Sequence, residues 1–470
     1  MESSLIGSIS FYRIGVACPR RLFDSLRDVL QKREVKSLLL TNLKFKFIFV
    51  SMGANYFDRA ISDILKRQAA NAKCLLVTGP RQVGKSTLLK KTYPNVRYIT
   101  FDDLIAKNQA VTEPGLFFLN NPPPVIIDEV QTVPEIFPYI KMRCDNSEMN
   151  GNFYLTGSQS MQLMKNVSES LAGRISILEL AGLSLREIFA VDFNEPFIPT
   201  AAYIARREKS LVHYADIWEK IHLGSYPELH ATSRDWLDFY SSYVKTYIER
   251  DINQMIHIKD ELAFMRFLVA VAARSGQVLN YSNIADDAGV SQVTVKEWVS
   301  ALERSGIVFL LQPYYSSFLN RAIKSPKLYF RDTGLLCYLT KWLTADTLKN
   351  SAVAGNVFET FVVSEILKSF SNAGRDYRFN VFYYRGKDKV KTQRGSVSVE
   401  SEIDVVIEED GILYPVEIKM SANPTKEMAQ AFSVLDKEIG KKRAQGTILC
   451  LYDKKAYLKE DLVALPVDFV

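Results

Sequence analysis

The most specific chemistry in this chain of 470 residues lies in Gly79, Pro80, Arg81, Gln82, Val83, Gly84, Lys85, Ser86 and Thr87. The pattern G-x-x-x-x-G-K-S, directly after the apolar run Cys74–Thr78, is that of a phosphate-binding loop between a strand and a helix. Backbone N–H groups must wrap a polyphosphate there, and side chains at Gly79 and Gly84 would obstruct the turn. Lys85 is expected to reach the β and γ phosphates, and Ser86 to ligate Mg²⁺. A helix expected from Thr87 to Lys91 and a little beyond points its positive end at the phosphates.

Two further runs supply partners for that loop. Val125-Ile126-Ile127-Asp128 is a short β-branched stretch, expected to be a buried parallel strand, and it is followed by Glu129. At the carboxyl edge of a sheet, Asp128 would enter the Mg²⁺ shell through water, and Glu129 would polarise the attacking water. Asn152 to Thr156 forms a third strand that runs into Gly157-Ser158-Gln159-Ser160. Thr156 or Ser158 could sense the terminal phosphate with a hydroxyl. Arg174, after a helix-like segment, has two readings of equal weight. It could be a charge-stabilising finger, in cis or towards a neighbouring subunit, or it could be a surface or helix-capping residue.

The carboxy-terminal half holds a second constellation. Glu402 to Ile407 and Ile412 to Lys419 read as two strands of a hairpin turned at Glu409-Asp410-Gly411. Such a hairpin brings Asp404 near Glu417, and Glu417 and Lys419 share a face because they lie two apart. Two carboxylates and a lysine could hold Mg²⁺ and steady a hydroxide at a phosphodiester, with Glu359 on the preceding helix completing the cluster. A charged, solvated hairpin face is the plainer alternative. Arg385 to Ser398, rich in Lys, Arg and Gly, is expected to be a flexible basic loop. Further upstream, Tyr281 to Ser291, the amphipathic Gln292 to Arg304 and the run Gly306 to Leu311 have the layout of a winged helix-turn-helix. Gln292, Thr294 and Lys296 would face a DNA groove, but Glu297 and Glu303 weaken that face and leave a docking module equally open.

The first set of segments resembles the AAA+-type P-loop ATPases. More narrowly, it resembles a widespread prokaryotic group in which the ATPase precedes a carboxy-terminal domain of unassigned role. The narrower likeness rests on Gly79 to Thr87, Ile127-Asp-Glu-Val-Gln131, Leu155-Thr-Gly-Ser-Gln159, Ser170-Leu-Ala-Gly-Arg174, Gly224-Ser-Tyr-Pro-Glu228, Tyr247 to Ile252, Asp332-Thr-Gly-Leu-Leu336 and Gly355-Asn-Val-Phe-Glu359. The resemblance implies ATP and Mg²⁺ as cofactors and covers nearly everything from Met52 onward. The last segment looks like the restriction-endonuclease-type core, whose hallmark is an aspartate followed by Glu-x-Lys on the next strand. That likeness implies Glu359, Asp404, Glu417 and Lys419 as its four site positions.

Length and composition set the remaining bounds. The expected architecture is α/β, with four parts. They are an extension over 1–51, a P-loop parallel-sheet ATPase domain over 52–235, a helical winged-helix linker over 236–315, and a smaller α/β restriction-endonuclease-like domain over 316–470. Residues 1–51 carry nine Lys or Arg against four acids, so nearly all of the formal charge of +6 lies there and nucleic-acid contact elsewhere must be a local patch. This extension reads as upstream sequence before an internal start at Met52, or as an organelle leader. It contains no uninterrupted apolar run long enough to span a bilayer, and no membrane association is expected. Five scattered cysteines fit reduced thiols in the cytoplasm, and the four histidines show no zinc spacing. The leading function is an ATP-hydrolysing switch acting on a nucleic-acid-associated module. An ATP-regulated DNA endonuclease and an ATP-dependent protein-binding regulator remain as alternatives, and DNA, a protein partner or a second copy of the chain stay open as partners.

Overall fold

The computed structural model describes residues 56–157, 161–248, 252, 258, 260–315, 325–392, 395–437 and 440–470. The extension over 1–51 and Ser158 lie outside them. Residues 55–470 form one compact α/β unit.

The first sheet has five parallel strands: β1 Cys74–Thr78, β2 Arg97–Thr100, β3 Val125–Asp128, β4 Phe153–Thr156 and β5 Ile175–Glu179. Their order across the sheet is β2-β3-β4-β1-β5. All five β1 residues are buried, as a parallel strand covered on both faces requires. Strand alternation divides them, with Leu75 and Val77 entering one apolar core and Cys74 and Leu76 the other. Helix α1, Ser62–Asn71, precedes β1, and α2, Lys85–Thr92, follows it. Helix α2 thus begins two residues earlier than the sequence pattern suggests, because Gly84, at φ 94°, makes the turn directly before it.

A helical region follows, containing α3 Glu261–Ala272, α4 Tyr281–Ala288 and α5 Gln292–Arg304. Gly289, at φ 71°, closes α4, and the Ser291 side chain caps α5 by accepting from Thr294 N. Three short antiparallel strands lie beside it: β6 Gln277–Val278, β7 Val308–Leu311 and β8 Lys327–Phe330, in the order β6-β8-β7.

Helix α6, Ala354–Asn372, is buried along most of its length. It leads into a seven-stranded mixed sheet made of β9 Val381–Thr392, β10 Gly395–Glu409, β11 Ile412–Lys419, β12 Lys442–Arg443, β13 Gly446–Cys450, β14 Ala456–Lys459 and β15 Leu462–Pro466. The basic stretch expected as a flexible loop is instead two strands of a long hairpin. Val399 faces Asp388, Val397 faces Val390, and Gly395 faces Thr392 in antiparallel register. The reason is period-two alternation: valines at 397 and 399 recur at strand spacing, which a composition count of Lys, Arg and Gly conceals.

Helix α6 also docks on the first sheet's side of the unit. Lys368 Nζ donates to Leu183 O at 2.9 Å and pairs with Glu365 Oε1 at 2.7 Å. Glu365 Oε2 accepts from Leu185 N at 2.8 Å, and Ser369 Oγ from Phe197 N at 2.8 Å. These charges are buried, but each has a partner, which is the condition for tolerating them.

Candidate functional site: the phosphate loop and an acidic cluster

The loop after β1 is shaped by backbone that only glycine accepts readily. Gly79 has φ 138°, and a Cβ there would lie 2.2 Å from Leu180 O, so any side chain would displace the neighbouring strand end. Lys85 is buried and donates to Gly79 O at 3.0 Å and Pro80 O at 2.8 Å, folding its ammonium over the loop. Arg59 supports the loop from behind. It donates to Val83 O at 2.8 Å and Ala181 O at 2.7 Å, and pairs with Glu187 Oε1 at 2.9 Å. Burial alone would raise the Glu187 carboxyl, but Arg59 and the N–H groups of Ser184 and Ala60 outweigh it and hold it below its ordinary value. On the outer side of the loop, Gln82 donates to Tyr247 OH at 3.0 Å, and the Arg81 guanidinium lies 5.3 Å from the centre of the same ring.

The sheet brings the sequence-derived partners together at one edge. Ser86 Oγ donates to Asp128 Oδ1 at 2.7 Å, and Thr156 Oγ1 donates to the same oxygen. Tyr98 OH donates to Asp128 Oδ2 at 2.6 Å. Sequence reasoning missed Tyr98. Its only signal is its place in the short run Arg97–Thr100, which the sheet sets beside β3. Glu129 stands just beyond β3 in left-handed backbone at φ 55°, with its carboxylate hydrogen-bonded by Gln131 Nε2. A hydroxyl and a carboxylate within hydrogen-bond distance are hard oxygen donors of the kind Mg²⁺ takes, so Ser86 and Asp128 fit that ion.

Arg174 is not brought to this edge. Its carbonyl accepts from Cys74 N at 3.1 Å, at the start of β1, and its guanidinium clasps Asp145, with Nη2 at 3.1 Å from Oδ2. It is separated from the loop by the length of β1, roughly 13 Å, so a finger onto the chain's own nucleotide does not fit this arrangement. In the helical region Gln292 and Lys296 are exposed, whereas the Thr294 hydroxyl is engaged with Ser291 Oγ at 2.9 Å.

The second constellation assembles around a residue that the sequence did not flag. The ammonium of Lys327, at the start of β8, meets Glu402 Oε1 at 2.5 Å, Glu359 Oε1 at 3.1 Å and Asp404 Oδ1 at 3.8 Å. Lys419 pairs with Glu417 Oε1 at 2.6 Å and lies 3.8 Å from Asp404 Oδ2, which also accepts from Ile418 N at 2.9 Å. Tyr329 OH donates to Glu359 Oε1 at 2.6 Å. The four expected residues therefore do converge, with Lys327 among them. Among the described residues no three His, Cys, Asp or Glu side chains form a group placed to hold a metal ion.

Burial and the Asp404 charge push Glu359 up to about 7 and Glu417 up to about 8, against the opposing pull of Lys327 and Lys419 respectively. An acid raised in the folded state takes up protons on folding. Its contribution to stability therefore declines as pH rises from its ordinary carboxyl range through these values. The urea midpoint is expected to fall between about pH 5 and about pH 8.5, and Glu417→Gln to flatten much of that slope. An unchanged slope in the variant would remove Glu417 from this account.

The four described cysteines, Cys74, Cys144, Cys337 and Cys450, are buried free thiols. Three histidines have local partners: His213 with Asp468, His222 with Trp342 O and His230 with Gly224 O. His257 lies outside the described residues. No helix among the described residues is long and apolar enough to cross a membrane.

Comparison with known proteins matches three separate stretches of the chain. Residues 71–189 match the family model described as an AAA domain. Residues 214–346 and 354–470 each match a domain of unknown function, DUF8612 and DUF4143 respectively. An uncharacterized protein of Mycobacterium tuberculosis is 27% identical over 412 residues, covering 86% of this chain and 82% of that protein. One from Methanocaldococcus jannaschii is 23% identical over 335 residues, covering 67% of this chain and 70% of its own length. Among solved structures, the Walker-type ATPase of Pyrococcus abyssi aligns with a TM-score of 0.38 and 14% identity, covering 60% of this chain and 96% of that one. With its glycine-rich loop and parallel sheet, the stretch 71–189 has the fold of a P-loop domain and is similar to the family model described as an AAA domain.

Proposed function

We propose that the protein is an Mg²⁺-dependent ATPase that works as a nucleotide switch on its carboxy-terminal module. The observation that carries this reading is the meeting of Ser86 Oγ and Asp128 Oδ1 at 2.7 Å beside the buried Lys85. Bound there, Mg²⁺ would neutralise charge on the β and γ phosphates. In this reading Lys85 binds those phosphates, and the N–H groups of Gly79 to Thr87 cradle them. Asp128 is oriented by hydrogen bonds from Ser86, Thr156 and Tyr98. Glu129 takes a proton from the attacking water, and Thr156 or Ser158 reports the terminal phosphate. Arg174, held by Asp145 at the far end of β1, is assigned to the nucleotide of a neighbouring copy.

The carboxy-terminal module is read as restriction-endonuclease-like, with Glu359, Asp404, Glu417 and Lys419 at its site positions. The helical region before it is read as a winged helix, whose exposed Gln292 and Lys296 would meet DNA. The buried, free cysteines fit a cytoplasmic protein.

The test is phosphate release from ATP by the full chain. Turnover is expected with Mg²⁺ and is expected to stop when EDTA removes it, returning on addition of excess Mg²⁺. Equal turnover with and without the metal would sink the assignment of Ser86 and Asp128.

A further inference from the structure

The centre of the phosphate loop makes a backbone demand that its sequence does not meet with glycine. Gln82, the fourth residue of the loop, stands in left-handed backbone at φ 61°, between Gly79 at φ 138° and Gly84 at φ 94°. Left-handed backbone within such a turn lets successive N–H groups converge, and that concave row of donors is what receives an anion. The conformation is unfavourable for a residue with a Cβ, and glutamine lacks both glycine's freedom and the short side chain by which asparagine tolerates it.

The two ends of the loop are held at their carbonyls: Lys85 donates to Gly79 O and Pro80 O, and Arg59 to Val83 O. The centre is held through side chains, and two of them reach the same ring. Gln82 Nε2 donates to Tyr247 OH at 3.0 Å, and the Arg81 guanidinium lies 5.3 Å from the centre of the Tyr247 ring. Gln82 Oε1 is buried and has no hydrogen-bond partner among the described residues, so the amide is anchored at its Tyr247 end. Tyr247 lies in a single π-helical turn, Val244–Ile248, that continues the helix Trp236–Tyr243. Such turns are rare and occur frequently at functional sites. The ring is backed by Tyr243 at 5.4 Å between centroids, and Tyr243 by Tyr226 at 4.9 Å, both of them buried. The hydroxyl is therefore presented to the loop from a packed footing. Tyr247 also opens the run Tyr247 to Ile252, which no step of the nucleotide reading uses.

We propose that Tyr247 is a positioning residue of the nucleotide site: by anchoring Gln82 and Arg81 it holds the centre of the loop in its left-handed turn, so that the N–H groups there meet phosphate already ordered. The proposal rests on the ATPase reading above and adds a residue of the helical region to the loop's machinery. A preordered loop binds ground state and transition state alike, so its loss raises KM and leaves kcat.

The experiment measures KM and kcat for ATP, and affinity for a non-hydrolysable ATP analogue, on the full chain. Tyr247→Phe keeps the ring and removes the hydroxyl. It should raise KM and weaken the analogue about threefold to tenfold, the scale of one hydrogen bond, with kcat within about twofold and the melting temperature unchanged. Gln82→Ala should weaken the analogue by at least as much, and adding Tyr247→Phe to it should cost nothing further. Gln82→Gly discriminates, because glycine takes left-handed backbone without an anchor. The double variant Gln82→Gly, Tyr247→Phe should bring KM back to within about twofold of the wild type.

An unchanged KM in Tyr247→Phe would overturn the proposal. So would a loss that Gln82→Gly does not recover, since Tyr247 would then touch nucleotide itself or act by packing alone. Turnover that falls with the melting temperature at constant KM would overturn it as well. If Tyr247→Phe does not fold, Gln82→Ala and Gln82→Gly decide, and equal losses in the two would remove the backbone argument. If the wild type binds no analogue, the ATPase reading falls and this role with it, whereas a binding wild type beside an indifferent Tyr247→Phe strikes the role alone.

Discussion

Replacing Lys85 by methionine is expected to lower ATP turnover by at least about a hundredfold, the scale of removing one charged donor from a developing transition state. The side chain is only 7% exposed, and its ammonium is held by Gly79 O and Pro80 O, so its stem packs under the loop and its charge sits at the loop's mouth. Methionine keeps the stem and deletes the charge, which separates the electrostatic role from the packing role. Two readouts are needed. The melting temperature should fall only modestly, since the loss is one donor shared by two carbonyls, Gly79 O and Pro80 O, and nucleotide affinity should fall along with turnover. Lys85→Arg should not rescue, since a planar guanidinium cannot follow the path of a compact ammonium through the loop. Turnover retained in Lys85→Met would refute the site, whatever the family likeness.

The phosphate loop was legible because every requirement it makes is local. Gly79 and Gly84 are needed by backbone that turns within a few residues, and β1 and β3 are continuous apolar runs whose ends fall where the sequence places them. The Asp404, Glu417 and Lys419 convergence was also legible, because a tight turn at Asp410 and Gly411 fixes the register of two adjacent strands.

Lys327 was not legible. It sits in the run Lys-Leu-Tyr-Phe with no acid beside it in sequence, and its partners arrive from α6 and β10. Arg59 and Glu187 are equally remote from one another, 128 residues apart, yet they form a buried pair behind the loop. Such pairs depend on tertiary packing, for which periodicity carries no signal. The long hairpin of β9 and β10 is hidden for a different reason: its Lys, Arg and Gly content masks the strand alternation.

Glu129→Gln is the second large expected effect, because it changes one atom at the position that we propose takes a proton from water. Loss of a positioned base typically costs about a hundred- to ten-thousandfold, and turnover should fall within that range while nucleotide affinity stays within about threefold of the wild type. The structure gives a reason to expect that separation. Glu129 lies beyond β3 at φ 55°, outside the Ser86, Asp128 and Thr156 contacts, and glutamine has the same shape and can keep a hydrogen bond to Gln131. Gln131 orients the carboxylate without reaching the phosphate loop itself, so Gln131→Ala should cost turnover much less, about fivefold to tenfold, without moving affinity. A pre-steady-state comparison then discriminates the roles: Glu129→Gln should accumulate bound, uncleaved ATP, whereas Gln131→Ala should cleave it slowly. Unchanged turnover in Glu129→Gln would move the base elsewhere, and Asp128 would be the next residue to test, since its two oxygens already accept from Ser86, Thr156 and Tyr98.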